Sequence, residues 1–428
     1  MILFYFLVSV MPLVQHPIWS RFVGDLTITK YVGAACVVYA IFHLATRDSR
    51  PAAFWSPFAK WFAVFYLLAV YSFLTKSLPS PWQLSPILSY SSFVLLFFVT
   101  GVVVDSLSRL RWTLIVAVGS LGFASLYVLR EWQKYRNVQT DIRPGWILGD
   151  ANYYTLSAVL CIPLAFCLAR HVRTRWEKPL LYGCLLVTLS GVTLGASRGG
   201  FLGLMASLAF ATWRSANRLR YAALLGFLLI PIVLITPLTP FQRLLHPNFS
   251  DQEATQERIV AWKAGLKMIE AHPWTGVGLG NFKPLVRQYE EAGDMRVETL
   301  AHNTYIEIAA EMGIPGLLLF LGILFASMRT LSDVYQRAPE SATLLRDAAL
   351  GLQTGLVGAM VGIFFLSCET QRLLWLVLFL APCVHALAAR PVEEEDDDVD
   401  AASGIFDDGE GTDLTGPSED EYEVARWA

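Results

Sequence analysis

Long apolar runs recur along almost the whole chain, and they restrict its fold more than any other feature. About 20 apolar residues cross the hydrocarbon core of a bilayer as one α-helix, and a backbone inside lipid must satisfy its own hydrogen bonds. The mean hydropathy is +0.46 and 16% of the residues are charged, whereas soluble domains carry about a quarter. The sequence therefore predicts an all-α, polytopic membrane helical bundle.

Run length predicts about 12 transmembrane helices. The apolar runs cover residues 1–18, 26–45, 54–75, 86–104, 109–130, 153–171, 179–196, 199–213, 219–238, 302–327, 348–367 and 371–389. The first run lacks a basic start and a small-residue cleavage pattern, so we interpret it as a membrane segment and not as a signal peptide.

The chain divides into a membrane domain, residues 1–390, and a tail, residues 391–428. The membrane domain includes one large loop at 239–301. The tail carries 15 acidic residues and one Arg. Because such a composition cannot bury an apolar core, we expect a disordered acidic cytoplasmic tail.

Basic residues fix the predicted orientation, because loops rich in Lys and Arg stay in the cytoplasm. The richer, alternate set of loops holds Arg47 and Arg50, Arg109 and Arg111, Arg170–Lys178, Arg214–Arg220 and Arg329–Arg346. Both termini are then cytoplasmic. The same count places the loops that carry Asn152, Arg198, Arg258 and His302 on the outer face of the membrane.

Three polar residues on this outer face are candidates for a site, since polar groups at membrane depth are costly and tend to be functional. Two guanidinium groups, Arg198 and Arg258, and one imidazole, His302, suit a phosphate-bearing lipid. Each also has a simpler interpretation. Arg198 can snorkel to the headgroups, Arg258 can pair with a nearby Glu on its helix, and His302 can be an interfacial cap.

The large loop contains a predicted amphipathic helix that begins at Ser250 or Asp251 and runs to about Ala271. Its apolar stripe is formed by Ile259, Trp262, Leu266 and Ile269. Such a helix lies on the membrane or caps the bundle.

A glycine-rich segment, Pro273–Asn281, follows this helix. Its alternating glycines, at positions 276, 278 and 280, are compatible with a phosphate cradle of backbone N–H groups, although a tight turn is the favoured interpretation. Glu311 falls roughly opposite His302 around the next helix, so we expect it to hold helix packing.

Asp150 and Asn152 enter a membrane helix. Capping is the simpler interpretation for both, and binding of acceptor-sugar hydroxyls is the alternative.

Three motifs resemble elements of the O-antigen ligase/polymerase superfamily. The first, Ala196-Ser-Arg-Gly-Gly-Phe-Leu-Gly-Leu204, is similar to its Ser-Arg-Gly element. The second, Arg258-Ile-Val-Ala-Trp262 with the glycine-rich segment, is similar to its periplasmic-loop element. The third, His302-Asn-Thr-Tyr-Ile-Glu followed by Glu311-Met-Gly-Ile-Pro-Gly316, resembles its His-containing signature.

A fourth element, Gly149-Asp-Ala-Asn152, resembles the superfamily more loosely. Asp-Ala-Asn stands where the pattern has a Pro-Asn or Asn-Asn pair, which weakens the assignment of an acceptor role to Asn152.

The resemblance implies an inverting, metal-independent glycosyltransferase with a GT-C-like fold. The donor is expected to be a glycan on undecaprenyl diphosphate, used at the periplasmic face of the bacterial inner membrane. By carry-over, His302 is the general base, and Arg198 and Arg258 bind the diphosphate. Asn152, Asn303, Tyr305 and Glu311 are expected to support the site.

The resemblance leaves the partners and the reaction partly open. The expected partners are the lipid-linked donor, a lipid or glycan acceptor and membrane lipids; no cofactor, metal or nucleic acid is expected. A ligase attaches a finished glycan, whereas a polymerase joins repeat units, and the motifs suit both. A transporter or flippase for lipid-linked sugars also needs basic groups near a lipid diphosphate, but it has little use for a base at His302.

Overall fold

All regular secondary structure in the described residues is helical, which confirms the all-α part of the predicted fold class. The computed structural model describes residues 1–13, 28–46, 51–76, 81–135, 150–214, 249–290 and 299–390. The α-helices in these ranges are α1 (Ile2–Val10), α2 (Ile28–Ala45), α3 (Pro57–Thr75), α4 (Pro81–Val103), α5 (Leu107–Tyr135), α6 (Ala151–Leu168), α7 (Glu177–Leu194), α8 (Arg198–Arg214), α9 (Phe249–Ala271), α10 (Phe282–Tyr289), α11 (Thr304–Arg337), α12 (Thr343–Gly362) and α13 (Arg372–Ala388).

Six helices in the described ranges are long and apolar enough to cross a membrane: α3, α4, α5, α6, α11 and α12. Two shorter apolar helices lie within α2 and α13. The run predicted at 219–238 and the acidic tail lie outside the described residues. The count of about 12 spans therefore stays a prediction.

Helices α6, α8 and α12 pack closely because glycines face one another where they meet. A Cβ atom on Gly203 of α8 would lie 2.6 Å from the Gly358 carbonyl oxygen of α12. A Cβ atom on Gly355 would lie 2.8 Å from the Leu160 carbonyl oxygen of α6. Small residues allow membrane helices to approach this closely. The three helices therefore form one unit, and their ends carry the candidate site.

Helix α11 is kinked at Gly313, which has φ +71° inside the helix. The kink frees two backbone carbonyls. The Ala310 carbonyl accepts a hydrogen bond from the Val277 N–H at 2.8 Å, and the Glu311 carbonyl accepts one from the Gly278 N–H at 3.0 Å. The glycine-rich segment thus docks into the kink and joins the extramembrane loop to the bundle.

Helix α9 confirms the helix predicted in the large loop, and it begins within about two residues of the predicted start. Its packed face differs from the predicted stripe. The side chains that face the protein are Val260, Ala261, Ala264 and Met268, whereas Ile259 and Leu266 are 38% and 57% exposed. Small alanines allow the helix to pack closely, and a pattern built from large apolar residues does not detect such a face.

Candidate functional site

One open cleft at one end of the bundle brings together three of the predicted residues, Asn152, Arg198 and Arg258. They come from the start of α6, the start of α8 and the middle of α9. The other lining residues are Leu156, Ser197, Gly199, Gly200, Ala254, Gly362, Phe365 and Leu366. The cleft is the meeting point of segments that are far apart in the sequence.

Ser197 fixes the side chain of Asn152. The Ser197 hydroxyl donates to Asn152 Oδ1 at 2.7 Å and accepts from the Gly200 N–H at 3.2 Å. The cap of α6 is Asp150, whose carboxylate accepts from the Asn152 N–H. The capping interpretation is therefore confirmed for Asp150, while the Asn152 side chain belongs to the cleft.

Arg198 joins α8 to α9, since its Nη2 donates to Thr255 Oγ1 at 3.1 Å. Thr255 lies one turn before Arg258, and both guanidinium groups line the same cleft. Arg198 is also the first residue of α8, where the helix dipole favours an anion. Two cations and a helix N-terminus at one cleft create a positive potential that suits a diphosphate.

His302 lies beside the cleft and is not among its lining residues. It stands two residues before α11 in a left-handed backbone conformation, φ +49°. Burial lowers the pKa of His302 from its usual 6.5 to about 4; the positive charge of Arg258 lowers it further, and Asp150 acts in the opposite direction. The imidazole is therefore neutral at pH 7. Its Nδ1 is buried and has no hydrogen-bond partner among the described residues.

Trp262 connects the elements that carry Arg258 and His302. Its Nε1–H donates to the Ala301 carbonyl at 2.8 Å, and its ring meets the edge of Phe364 with the ring centroids 5.5 Å apart. The sequence placed Trp262 in an apolar stripe; the structure shows that it also holds the loop before His302.

The predicted supporting residues Asn303 and Tyr305 hold the start of α11. Asn303 is the N-cap, because its Oδ1 accepts from the Tyr305 and Ile306 N–H groups at 3.0 and 3.1 Å. The cap is therefore Asn303, and His302 is not needed for that purpose. The Tyr305 hydroxyl donates to the Met360 carbonyl at 2.8 Å, which fixes α11 against α12.

Glu311 lies away from the cleft and holds the glycine-rich turn. The Phe282 N–H donates to Glu311 Oε1 at 3.1 Å, and the Gly280 N–H also points to this carboxyl group. The turn thus binds a carboxyl group that the protein itself supplies. The phosphate-cradle interpretation is wrong, because protein acceptors already take these N–H groups; the tight turn is confirmed by the positive φ angles of Gly276, Gly278 and Gly280.

Two contributions to the site were not predicted. One is the segment Gly362–Leu366 at the end of α12, which lines the cleft. Leu366 also accepts from the Thr304 N–H at 3.1 Å, so this segment connects the cleft to α11. The other is the hydroxyl group of Ser197, whose motif was noted although its contact with Asn152 was not. Neither the position of this segment nor the hydrogen bond between Ser197 and Asn152 can be recognised from a local sequence pattern.

Metal independence remains a prediction. Within the described ranges, no three His, Cys, Asp or Glu side chains are grouped so that they can hold a metal ion.

The fold and the cleft define a helical membrane protein with a cationic site at one end of its bundle. Residues 183–321 match the model of the O-antigen ligase family, which confirms the resemblance drawn from the motifs. The matched segment contains Arg198, Arg258 and His302, and it ends before the segment at 362–366. No curated protein matches the chain. The match supports a role in glycan transfer at a bacterial membrane.

Proposed function

We propose that the protein is a glycosyltransferase that moves a glycan from undecaprenyl diphosphate to an acceptor hydroxyl, without a metal ion. The observation that carries the proposal is that Arg198 and Arg258 line one cleft. A neutral His302 lies close enough to Arg258 for the guanidinium charge to lower the pKa of the imidazole. The site faces the periplasm of the inner membrane, and both termini are cytoplasmic.

In the proposed reaction, His302 accepts the proton of the acceptor hydroxyl as its oxygen attacks the anomeric carbon. The bond between this carbon and the diphosphate oxygen breaks on the opposite face, so the configuration inverts. The electron pair leaves with the diphosphate. Arg198 and Arg258 stabilise the negative charge that develops there, because they are already in place when the bond breaks.

Because Arg258 acts on His302, the pKa of His302 is expected to depend on whether the donor is bound. The positive charge of Arg258 helps to keep the pKa of His302 low. A bound diphosphate neutralises that charge, so the pKa of His302 rises towards its usual value. A base with a pKa nearer the working pH is more effective. His302 therefore becomes a better base once the donor is present.

Asn152 is proposed to hold a sugar hydroxyl. Its Oδ1 is used by Ser197, so its amide N–H₂ is the group available to the cleft and acts as a donor. A fixed donor orients an acceptor oxygen without taking its proton. The segment 362–366 closes the other side of the cleft.

The proposal is tested with purified protein in liposomes, undecaprenyl-diphosphate-linked oligosaccharide and an acceptor glycolipid, with the products identified by mass spectrometry. We expect a new glycosidic bond and released undecaprenyl diphosphate. Products that grow by repeat units identify a polymerase, and a single attachment identifies a ligase. Movement of intact donor between leaflets without bond formation would contradict the proposal and support a transporter.

A further inference from the structure

Arg372 is a partly buried arginine that the proposed reaction does not use. It is the first residue of α13, and within the described ranges its side chain makes no hydrogen bond or ion pair. At the other end of the bundle the protein pairs its arginines, Arg111 with Glu177 and Arg109 with Asp105. A charge removed from water without a partner is costly. The unpaired guanidinium of Arg372 therefore needs an explanation.

The structural explanations available for Arg372 do not account for it. A cation is unfavourable at a helix N-terminus, where the helix dipole is positive. The nearest carboxyl group in the sequence is that of Glu369, whose Oε2 is buried without a hydrogen-bond partner. Snorkelling requires a helix that faces lipid, whereas residues 373–384 of α13 are all buried. Arg372 thus stands at the end of an interior helix.

The segment before Arg372 runs from the cationic cleft past the proposed base. Leu366 lines that cleft. Two residues later, the Cys368 N–H donates to Thr304 Oγ1 at 3.0 Å, and Thr304 lies two residues after His302. Arg372 follows four residues after Cys368, at the same end of the bundle as the cleft.

Gln371 fixes the position before Arg372 against α6. Its Nε2 donates to Ser157 Oγ at 2.8 Å and to the Tyr153 carbonyl at 3.3 Å. Tyr153 follows Asn152, the cleft residue proposed to hold a sugar hydroxyl. The backbone that carries Arg372 is therefore held between the starts of α6 and α11, which also carry Asn152 and the base.

We propose that Arg372 binds an anionic substituent, a phosphate or a carboxylate, on the acceptor glycan. This inference rests on the proposed function. The acceptor oxygen attacks from the side opposite the leaving diphosphate, so the acceptor extends away from the cleft of Arg198 and Arg258, and Arg372 does not line that cleft. A guanidinium group binds phosphate or carboxylate oxygens through two parallel hydrogen bonds. Arg372 thereby orients the acceptor while His302 receives its proton.

The test compares three acceptor glycolipids with the same sugars, one phosphorylated, one with a uronate carboxylate and one neutral, in liposomes of phosphatidylcholine. For the wild-type protein we expect a KM about tenfold lower for at least one anionic acceptor than for the neutral one. Arg372→Gln should abolish this preference and leave the KM for the donor unchanged. Arg372→Lys keeps the charge but not the two parallel bonds, so it should retain part of the preference.

Arg329→Gln is the matched control, because Arg329 is an exposed arginine near the other end of α11. Equal loss of preference in this control, or a wild-type protein indifferent to the charge of the acceptor, would overturn the proposal. A higher KM for the donor in Arg372→Gln would also overturn it, since the cation would then serve the diphosphate. A loss seen only after phosphatidylglycerol is added to the liposomes would assign Arg372 to a lipid headgroup instead.

A second measurement uses only the wild-type protein. An anionic acceptor with a diazirine beside its charged group is photolysed with the protein in the absence of donor. Label in the peptide that contains residues 366–375 supports the site, whereas label confined to other segments, or equal label from the neutral acceptor, contradicts it.

The two proposals fail in different ways. If the wild-type protein forms no glycosidic bond with any acceptor, the proposed function is wrong, and the cross-link still reports on Arg372. If transfer is normal and Arg372→Gln keeps the preference for the anionic acceptor, only the acceptor site is wrong.

Discussion

Trp262 donates its indole N–H to the carbonyl oxygen of Ala301 at 2.8 Å. This hydrogen bond joins α9 to the residue that precedes His302. Arg258 lies one turn before Trp262 on the same helix, so the two groups assigned to the diphosphate and to the acceptor proton share one structural connection. The spacing between the cation and the base therefore depends on Trp262, which does not line the cleft itself.

We expect Trp262→Phe to lower kcat/KM about fivefold, because the ring packing remains and one hydrogen bond worth about 1 kcal/mol is lost. The acidic limb of the kcat/KM profile against pH should move as well. The spacing between Arg258 and His302 changes, and with it the effect of Arg258 on the pKa of His302. Trp274→Phe is the control, because Trp274 is 72% exposed. Equal effects of the two substitutions would contradict a positioning role for Trp262.

Arg258→Gln is expected to shift the acidic limb of the kcat/KM profile to higher pH. His302 must be neutral to act as a base, so activity falls as the pH drops through its pKa, which is about 4 in the intact site. Without the Arg258 charge, the pKa of His302 rises towards 6.5 and activity is lost earlier on acidification.

Arg198→Gln provides the comparison for this shift, since the positive charge that lowers the pKa of His302 is that of Arg258. It should lower activity without moving the limb. A limb that stays fixed in Arg258→Gln would show that the two side chains are not coupled.

Gly276→Ala is expected to destabilise the protein by about 2–4 kcal/mol, since it combines a left-handed backbone with a steric clash. Its φ is +64°, and an added Cβ would lie 2.3 Å from the backbone of Glu311. Thermal unfolding in detergent measures the change. Gly119→Ala is the control, because Gly119 lies within α5 with no atom within 4 Å of an added Cβ; a similar loss there would contradict docking of the turn into the kink.

Ser197→Ala should lower transfer about tenfold, because Asn152 loses the hydroxyl that orients it and the Gly200 N–H loses its acceptor. Ser190→Ala, at a surface position on α7, should have little effect. A double-mutant cycle with Asn152→Ala isolates the contact, and coupling above about 0.5 kcal/mol is expected. Strictly additive losses would show that Ser197 acts elsewhere.

The helical fold and the two arginines of the cleft were open to sequence analysis for physical reasons. Apolar runs long enough for a bilayer have few alternatives to a helix. Arg198 and Arg258 stand out because charge is costly near lipid. The alternation of basic loops then assigned them to one face, and the structure brings both to one end of the bundle.

The same reasoning could not predict contacts between segments that are far apart in the sequence. The packed face of α9 contains Ala261 and Ala264, whose small side chains add little to an apolar pattern. The glycine turn suggested an anion site, and the turn instead holds the carboxyl group of Glu311, about thirty residues later in the chain. The kink at Gly313 frees two carbonyls for the turn, and only the structure shows this.

The most direct test of the account measures single-turnover transfer by His302→Gln, with donor binding determined on the same preparation. Loss of a general base lowers the rate by about 10²–10⁴-fold, while the arginines that hold the diphosphate remain. We therefore predict transfer at least about 100-fold slower with donor affinity within about twofold of wild type, and no change in the exposed control His385→Gln. Transfer by His302→Gln at a rate near that of the wild type would contradict the account.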